Sequence, residues 1–368
     1  MTTSNTKANL PSLAAFITPH GFGHAARASA VMIQLQRLLP QMDFHLFTTV
    51  PEWFYRESNL TNFQYHPVIT DLGLVQRSAM EEDLPATIRR LEGFLPFSPD
   101  LVSSLAAQVN ALNCQLVLCD IAPLGIAVAQ LAGIPSLLEE NFTWDWIYAG
   151  YPSYQQLLQP YIDYLAETFS KATYHIQTAP VSQPDPQWEA VQPVSRPIRQ
   201  PRATIRSSLG IDAETPVVLV SMGGIESRPG NLAAMRNARD IDFILPDASA
   251  QVTRDANLLL LPHHHGIYHP DLVNACDAVV GKLGYSTLAE CYAADAFYGY
   301  IAREHFPESP SLGRFIETSM RGTFIQPDEY ASGAWIDKIR APLAQPHKNG
   351  SRANGADQIA CLIKDLLA

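Results

Sequence analysis

The sequence predicts an α/β protein built from two doubly wound halves, and three observations carry that expectation. Apolar runs of strand length alternate with helical patterns along the chain, the βαβ signature of a parallel sheet covered by helices on both faces. The alternation breaks once, between residues 179 and 202. There Pro180, Pro184, Pro186, Pro193, Pro197 and Pro201 exclude a helix or a central strand and predict a linker or an extended surface segment. The 368 residues, 47% hydrophobic and 17% charged, suffice for two cores and exclude a disordered chain. The expected division is a first domain over 1–178, a Pro-rich linker over 179–202, a second domain over 203–345 and a helical tail over 346–368.

In the first half, LAAFIT predicts a strand, followed by a glycine-containing loop and a helix over residues 24–39. FHLFTT and FQYHPV predict the next two strands. CQLVLCD reads as a buried strand ending at Asp120, PLGIAVAQLAG as a helix, and IPSLLEE as the strand after it. Beyond the prolines, TPVVLVSMGG predicts a strand running into a glycine loop, and DFILPD and NLLLLPH two more strands. LVNACDAVVGKLGYSTLAECYAAD gives a helix, a short strand, a glycine turn and a second helix. FYGYIA is a strand, and ADQIACLIKDLLA an amphipathic helix.

Composition narrows the function. A net charge of −11 argues against nucleic-acid or anionic-membrane binding, which need clustered Lys and Arg, but leaves room for a local basic pocket holding one phosphorylated ligand. The five cysteines are odd in number and scattered without a C-x-x-C pair, which predicts a reducing compartment and neither a disulfide framework nor a zinc site. The start MTTSNTKANLPS has no signal-peptide apolar region, and no apolar run approaches a membrane span. The expectation is a soluble cytoplasmic protein.

In doubly wound sheets ligands bind outside the carboxyl ends of the strands, so the loops after strands matter most. The first, PHGFGHAAR, gathers His20, Gly21, Gly23, His24 and Arg27. Histidine suits a general base for a hydroxyl, and His24 and Arg27, three apart at a helix start, share a face. A histidine that caps the helix or fills a cavity is the competing reading. Asp120 ends a strand, and ENFTWDW follows the next one, bringing Asn141, Trp144, Asp145 and Trp146. Trp144, Trp146 and Tyr148 could stack on a sugar ring; ordinary core packing is the alternative, favoured for Trp146.

In GKLGYSTLAE, Gly284 permits a tight turn, and Tyr285, Ser286 and Thr287 offer amides at a helix start that favours anions, with Lys282 beside them. Glu290, one turn in, suits the two ribose hydroxyls of a nucleotide; equally, Thr287 and Glu290 spell a capping box. The turn at Gly223 and Gly224 lacks both the G-x-G-x-x-G fingerprint and the P-loop pattern, which disfavours a nicotinamide cofactor. Metal is not expected. The run His263, His264, His265 has neighbours that rarely converge on one ion, and Asp240 and Asp242 precede a strand rather than follow one.

The sequence resembles the glycosyltransferase-like N-terminal domain of L-arabinokinase and its stand-alone bacterial relatives. The resemblance rests on HGFGHAAR, DLGLVQ, NFTWDWIYAGY, GKLGYSTLAE and REHFPESPSL, which run in order across nearly the whole chain. There is no room for the sugar-kinase half and no Gly/Ser-rich kinase phosphate loop, so arabinose phosphorylation is not implied. More distantly, the layout resembles GT-B glycosyltransferases such as the peptidoglycan N-acetylglucosaminyl transferase. Gly23 and His24 match that family's first loop, while Phe22 between the two glycines departs from it; Gly284, Thr287 and Glu290 match its G-x-x-T-x-x-E segment.

The resemblance implies a GT-B fold, two Rossmann-like domains facing a cleft, and transfer of a sugar from a nucleotide-sugar donor to a hydroxyl acceptor; a UDP-sugar is the expected donor, with a guanosine nucleotide left open, and neither cofactor nor metal is expected. It implies donor contacts from Gly284, Thr287, Glu290, Arg303 and Glu308, to which the strand-end loops and helix start add Gly223, Gly224, Lys282, Tyr285 and Ser286 as expected donor contacts. His24 would be the base, with His20 and Asp120 orienting; Arg27, Asn141, Trp144 and Asp145 would line the acceptor. Two other readings use the same residues: a non-hydrolysing nucleotide-sugar 2-epimerase, and a non-catalytic sugar-nucleotide-binding module.

Overall fold

The computed structural model of the protein describes residues 11–222, 231–262, 265–345 and 352–368. Gly223, Gly224, His263 and His264 lie outside the described residues. The first strands are β1 (Ser12–Ile17), β2 (Asp43–Phe47) and β3 (Phe63–His66), followed by a short antiparallel hairpin, β4 (Gln76–Ser78) and β5 (Glu81–Glu82). Next come β6 (Leu116–Asp120), β7 (Ser136–Glu140), β8 (Tyr174–Thr178) and β9 (Glu189–Val191). The first sheet has the order β3-β2-β1-β6-β7-β8-β9 and every pairing in it is parallel.

The second half repeats the plan. Its strands are β10 (Val217–Ser221), β11 (Asp242–Leu245), β12 (Thr253–Asp255), β13 (Leu258–Leu260), β14 (Ala278–Lys282), β15 (Phe297–Ile301) and β16 (Gly322–Phe324), in the order β12-β13-β11-β10-β14-β15-β16. Only the edge pair β12–β13 is antiparallel. Both sheets therefore reverse strand order beside their first strand, at β1/β6 and at β10/β14, the topological switch points where doubly wound folds hold ligands.

Burial explains why these runs became strands. Every residue of β1, β6 and β7 is buried, as expected for central parallel strands covered on both faces. At the second switch point β10 and β14 approach so closely that a Cβ on Gly281 would lie 1.7 Å from the Ser221 carbonyl oxygen, so only glycine fits.

Contacts divide the chain into two compact units. One comprises residues up to Val75, Leu84–Val194 and Gly355–Ala368; the other comprises Gln76–Asp83 and Ser195–Asn354. The tail expected over 346–368 is thus not separate. Its helix, Gly355–Leu366, buries Ala356, Ile359, Ala360 and Ile363 in the first unit's core, beside Ala25, Ala28 and Met32 of the helix Phe22–Leu38. The proline-rich segment extends the first sheet with β9 before the helix Arg202–Ser208. No described helix is long and apolar enough to cross a membrane.

Candidate functional site

At the first switch point, β1 ends one residue before Thr18, and β6 ends at Asp120 in register with Ile17. Asp120 is fully buried and accepts from three donors: His24 Nδ1 at 2.9 Å, Arg27 Nη2 at 2.5 Å and Arg27 Nε at 3.0 Å. Burial alone would raise this carboxyl, but the Arg27 charge, with His24, more than offsets it and holds Asp120 below the usual carboxylate range. His24 sits above this anchor with its side chain 11% exposed. Nδ1 also lies 3.2 Å from Arg27 Nη2; when its proton is directed to the Asp120 carboxylate, Nε2 is left as a proton acceptor.

A second carboxylate joins the network. Glu139 on β7 is the in-register neighbour of Asp120, fully buried, with Oε1 3.5 Å from Arg27 Nε. Burial, and then the Asp120 charge, push Glu139 well above the ordinary glutamate range, which favours its neutral form. One guanidinium thus faces two carboxyls pushed in opposite directions, an arrangement that limits the charge removed from water.

Arg27 also donates to Asn141 Oδ1 at 2.6 Å and Thr178 Oγ1 at 3.4 Å. It is 1% exposed and Asn141 is fully buried, so the structure corrects the expectation that these two line an acceptor; they brace the strand ends beneath His24. The aromatic assignment reverses too. Trp144, at 1% exposure, is the core residue, stacked with Tyr148 and edge-on to His20 at 5.1 Å, while Trp146 is the half-buried one. Asp145 is partly buried, and burial raises its carboxyl.

His20 is fixed from the opposite side by the DLGLVQ segment. Gly73 has φ +53°, and a Cβ there would come within 2.5 Å of His20 Nδ1. Its carbonyl accepts from Tyr148 Oη at 2.9 Å. Asp71, buried beside it, accepts from Thr18 Oγ1 at 2.6 Å, and burial pushes its carboxyl up to about 7. Sequence reasoning singled out neither Glu139 nor Asp71 as a site residue. The available signal for Glu139 was that CQLVLCD and IPSLLEE both end in carboxylates; ends aligned in a parallel pair make them neighbours.

At the second switch point, the helix Tyr285–Ala294 starts from Gly284 as its N-cap, and among the described residues no side chain caps it. The capping-box reading of Thr287 and Glu290 is thereby corrected: both lie inside the helix. The first-turn amides of Tyr285, Ser286 and Thr287 occupy the end where a helix lacks intrahelical acceptors. Glu290, 4% exposed, is held by Arg196 Nη2 at 3.1 Å and His269 Nδ1 at 2.5 Å. Burial would raise its carboxyl, but His269 and then Arg196 keep it below the usual range. Glu290 thus already carries two partners, neither of which the sequence pattern announced.

Lys282 closes β14, where its carbonyl accepts from Tyr298 Oη at 2.6 Å. Burial, and then Arg303, lower its ammonium to about 8, while Glu308 and Glu82 act in the opposite direction. Arg303 lies over the Phe306 ring, 3.3 Å from its centroid, and donates to Glu82 Oε1 at 2.9 Å. Among the described residues no group of three or more His, Cys, Asp or Glu could hold a metal ion. Asp240 pairs with Arg340, and Asp242 with Arg254.

No family model matches the chain. It is 26% identical to L-arabinokinase of Arabidopsis thaliana over 359 residues, covering 95% of the chain and 34% of that protein, so it spans about a third of its curated relative. The glycotransferase of kitacinnamycin superimposes with a TM-score of 0.64 at 13% identity, covering 97% of this chain and all (100%) of that one. Glycosyltransferase VinC, solved with DTDP, gives 0.58 at 14% identity over 97% of this chain and 95% of its own. The fold is GT-B.

Proposed function

We propose that the chain is a glycosyltransferase that moves a sugar from a UDP-sugar to a hydroxyl acceptor without a bound metal. The observation that carries this reading is the hydrogen bond from His24 Nδ1 to the buried Asp120, at the switch point of a GT-B sheet. On this reading Nε2 of His24 takes the acceptor hydroxyl proton as the oxygen bonds to the anomeric carbon. The bond from that carbon to the diphosphate breaks, and the charge passes to the leaving diphosphate. Asp120 stabilises the imidazolium that forms, and Arg27 fixes Asp120. The first-turn amides of Tyr285, Ser286 and Thr287, with Lys282, receive the leaving charge in place of a metal ion. That the structurally similar VinC was solved with DTDP supports a nucleotide ligand for this chain.

The test is release of UDP from a UDP-sugar, by slow hydrolysis or with an acceptor mixture, together with donor affinity. His24→Ala should lower turnover by about 10²–10⁴-fold and leave donor affinity unchanged; His20→Ala should cost less. Near-normal turnover in His24→Ala removes it from the mechanism. Formation of a new UDP-sugar identifies an epimerase instead, and binding without turnover identifies a non-catalytic module.

A further inference from the structure

The hairpin β4–β5 comes from the first half of the chain, yet Gln76–Asp83 packs with the second unit, where Met80 lies against the apolar core beneath β10 and β14. It delivers Glu82 to the carboxyl end of the second sheet. Glu82 and Arg303 are each 7% exposed and joined at 2.9 Å. Lys282, at the end of β14, feels the charges of Arg303, Glu308 and Glu82, so two cationic and two anionic side chains gather around it. No motif in the sequence pointed to Glu82, and the reaction as proposed does not use it.

The balance of this cluster bears on what it can bind. A cluster of Lys and Arg alone would attract any anion. Here each cation has a carboxylate near it, and carboxylates accept hydrogen bonds but offer none. A ring hydroxyl both donates and accepts, so it can bridge a carboxylate and a guanidinium without adding charge. A carboxylate on the incoming sugar would meet Glu82 and Glu308 across a dehydrated site, where like charges repel strongly. We infer that Glu82 is a donor-sugar recognition residue, and that with Glu308 it makes the site select a neutral, polyhydroxylated sugar over a uronate. This inference rests on the nucleotide-sugar reading of the second unit.

The experiment is titration calorimetry with UDP, UDP-glucose and UDP-glucuronate on the full chain and on Glu82→Gln, which keeps the shape and an acceptor for Arg303. The wild type should bind UDP-glucose about 10-fold or more tighter than UDP-glucuronate. Glu82→Gln should reduce that ratio several-fold while UDP alone binds as before. Three results would overturn the inference: a wild type that prefers the uronate, a ratio unmoved by the substitution, or equal losses for UDP and UDP-glucose. Failure of the wild type to bind any of the three overturns the nucleotide-sugar reading itself, a distinguishable outcome. If Glu82→Gln does not fold, the wild-type preference and the same titrations on Glu308→Gln decide.

Discussion

Asp120 and Glu139 lie side by side under one arginine, and their surroundings push Asp120 towards its ionised form and Glu139 towards its neutral form. Substituting each by its amide separates the two roles. Glu139→Gln replaces a neutral acid by a neutral amide of the same shape, and should cost no more than about 0.5–1.5 kcal/mol, the scale of one hydrogen bond. Asp120→Asn removes the ionised partner of a guanidinium that is 1% exposed. Left uncompensated, such a charge costs about 3–5 kcal/mol. In the single variant Glu139 is positioned to compensate: the Asp120 charge that helped keep it protonated is gone, and Arg27 Nε lies 3.5 Å away. Asp120→Asn alone should therefore cost about 1–3 kcal/mol, and the double variant the full 3–5 kcal/mol. The excess over additivity should be at least about 1 kcal/mol. The assay is urea unfolding at pH 7, followed by tryptophan fluorescence. Equal costs for the two single variants, or strict additivity in the double, would refute the assignment of one charge to the pair.

Lys282 should make nucleotide binding pH-dependent: its ammonium, lowered to about 8, is lost above that pH, so UDP affinity should fall as pH rises through 8 and Lys282→Met should abolish the slope. Asp71 carries a carboxyl raised from 3.8 to about 7, so the folded state holds a proton that the unfolded chain releases. Stability should fall between pH 4 and 7 by about 4 kcal/mol at most, and Asp71→Asn should flatten that fall in pH-dependent unfolding. Gly281→Ala should destabilise by about 1–3 kcal/mol or more, measured by thermal unfolding, because its Cβ would meet backbone at 1.7 Å. Glu290→Ala should weaken nucleotide affinity by about 1–3 kcal/mol. It should also destabilise the fold by leaving buried Arg196 without that carboxylate, and unchanged affinity in a folded variant would reduce Glu290 to a structural residue.

The two sheets were legible because central parallel strands read as continuous apolar runs bounded by glycine and proline, a purely local signal. LAAFIT and CQLVLCD emerged as β1 and β6, and the start of the helix after β1 and the last residue of β6 supply the His24 and Asp120 that meet. What stayed hidden depends on strand register or on chain segments far apart. Three-residue spacing says only that Arg27 shares a face with His24, which led to the acceptor assignment; hydrogen bonds to Asp120, Asn141 and Thr178 hold it inward instead. Glu290 fitted a capping box locally, but the helix begins at Gly284 and Arg196 and His269 arrive from elsewhere. Glu82 reaches Arg303 across more than two hundred residues, and the terminal helix returns to the first core, neither of which periodicity reports.

The most direct test of the central claim is a calorimetric titration of the purified chain with a panel of UDP-, dTDP- and GDP-sugars at neutral pH, with EDTA present. The account predicts saturable binding of at least one UDP-sugar, unchanged by the chelator and weakened by Lys282→Met. Absence of binding across the panel, or binding only when magnesium or manganese is restored, would contradict it.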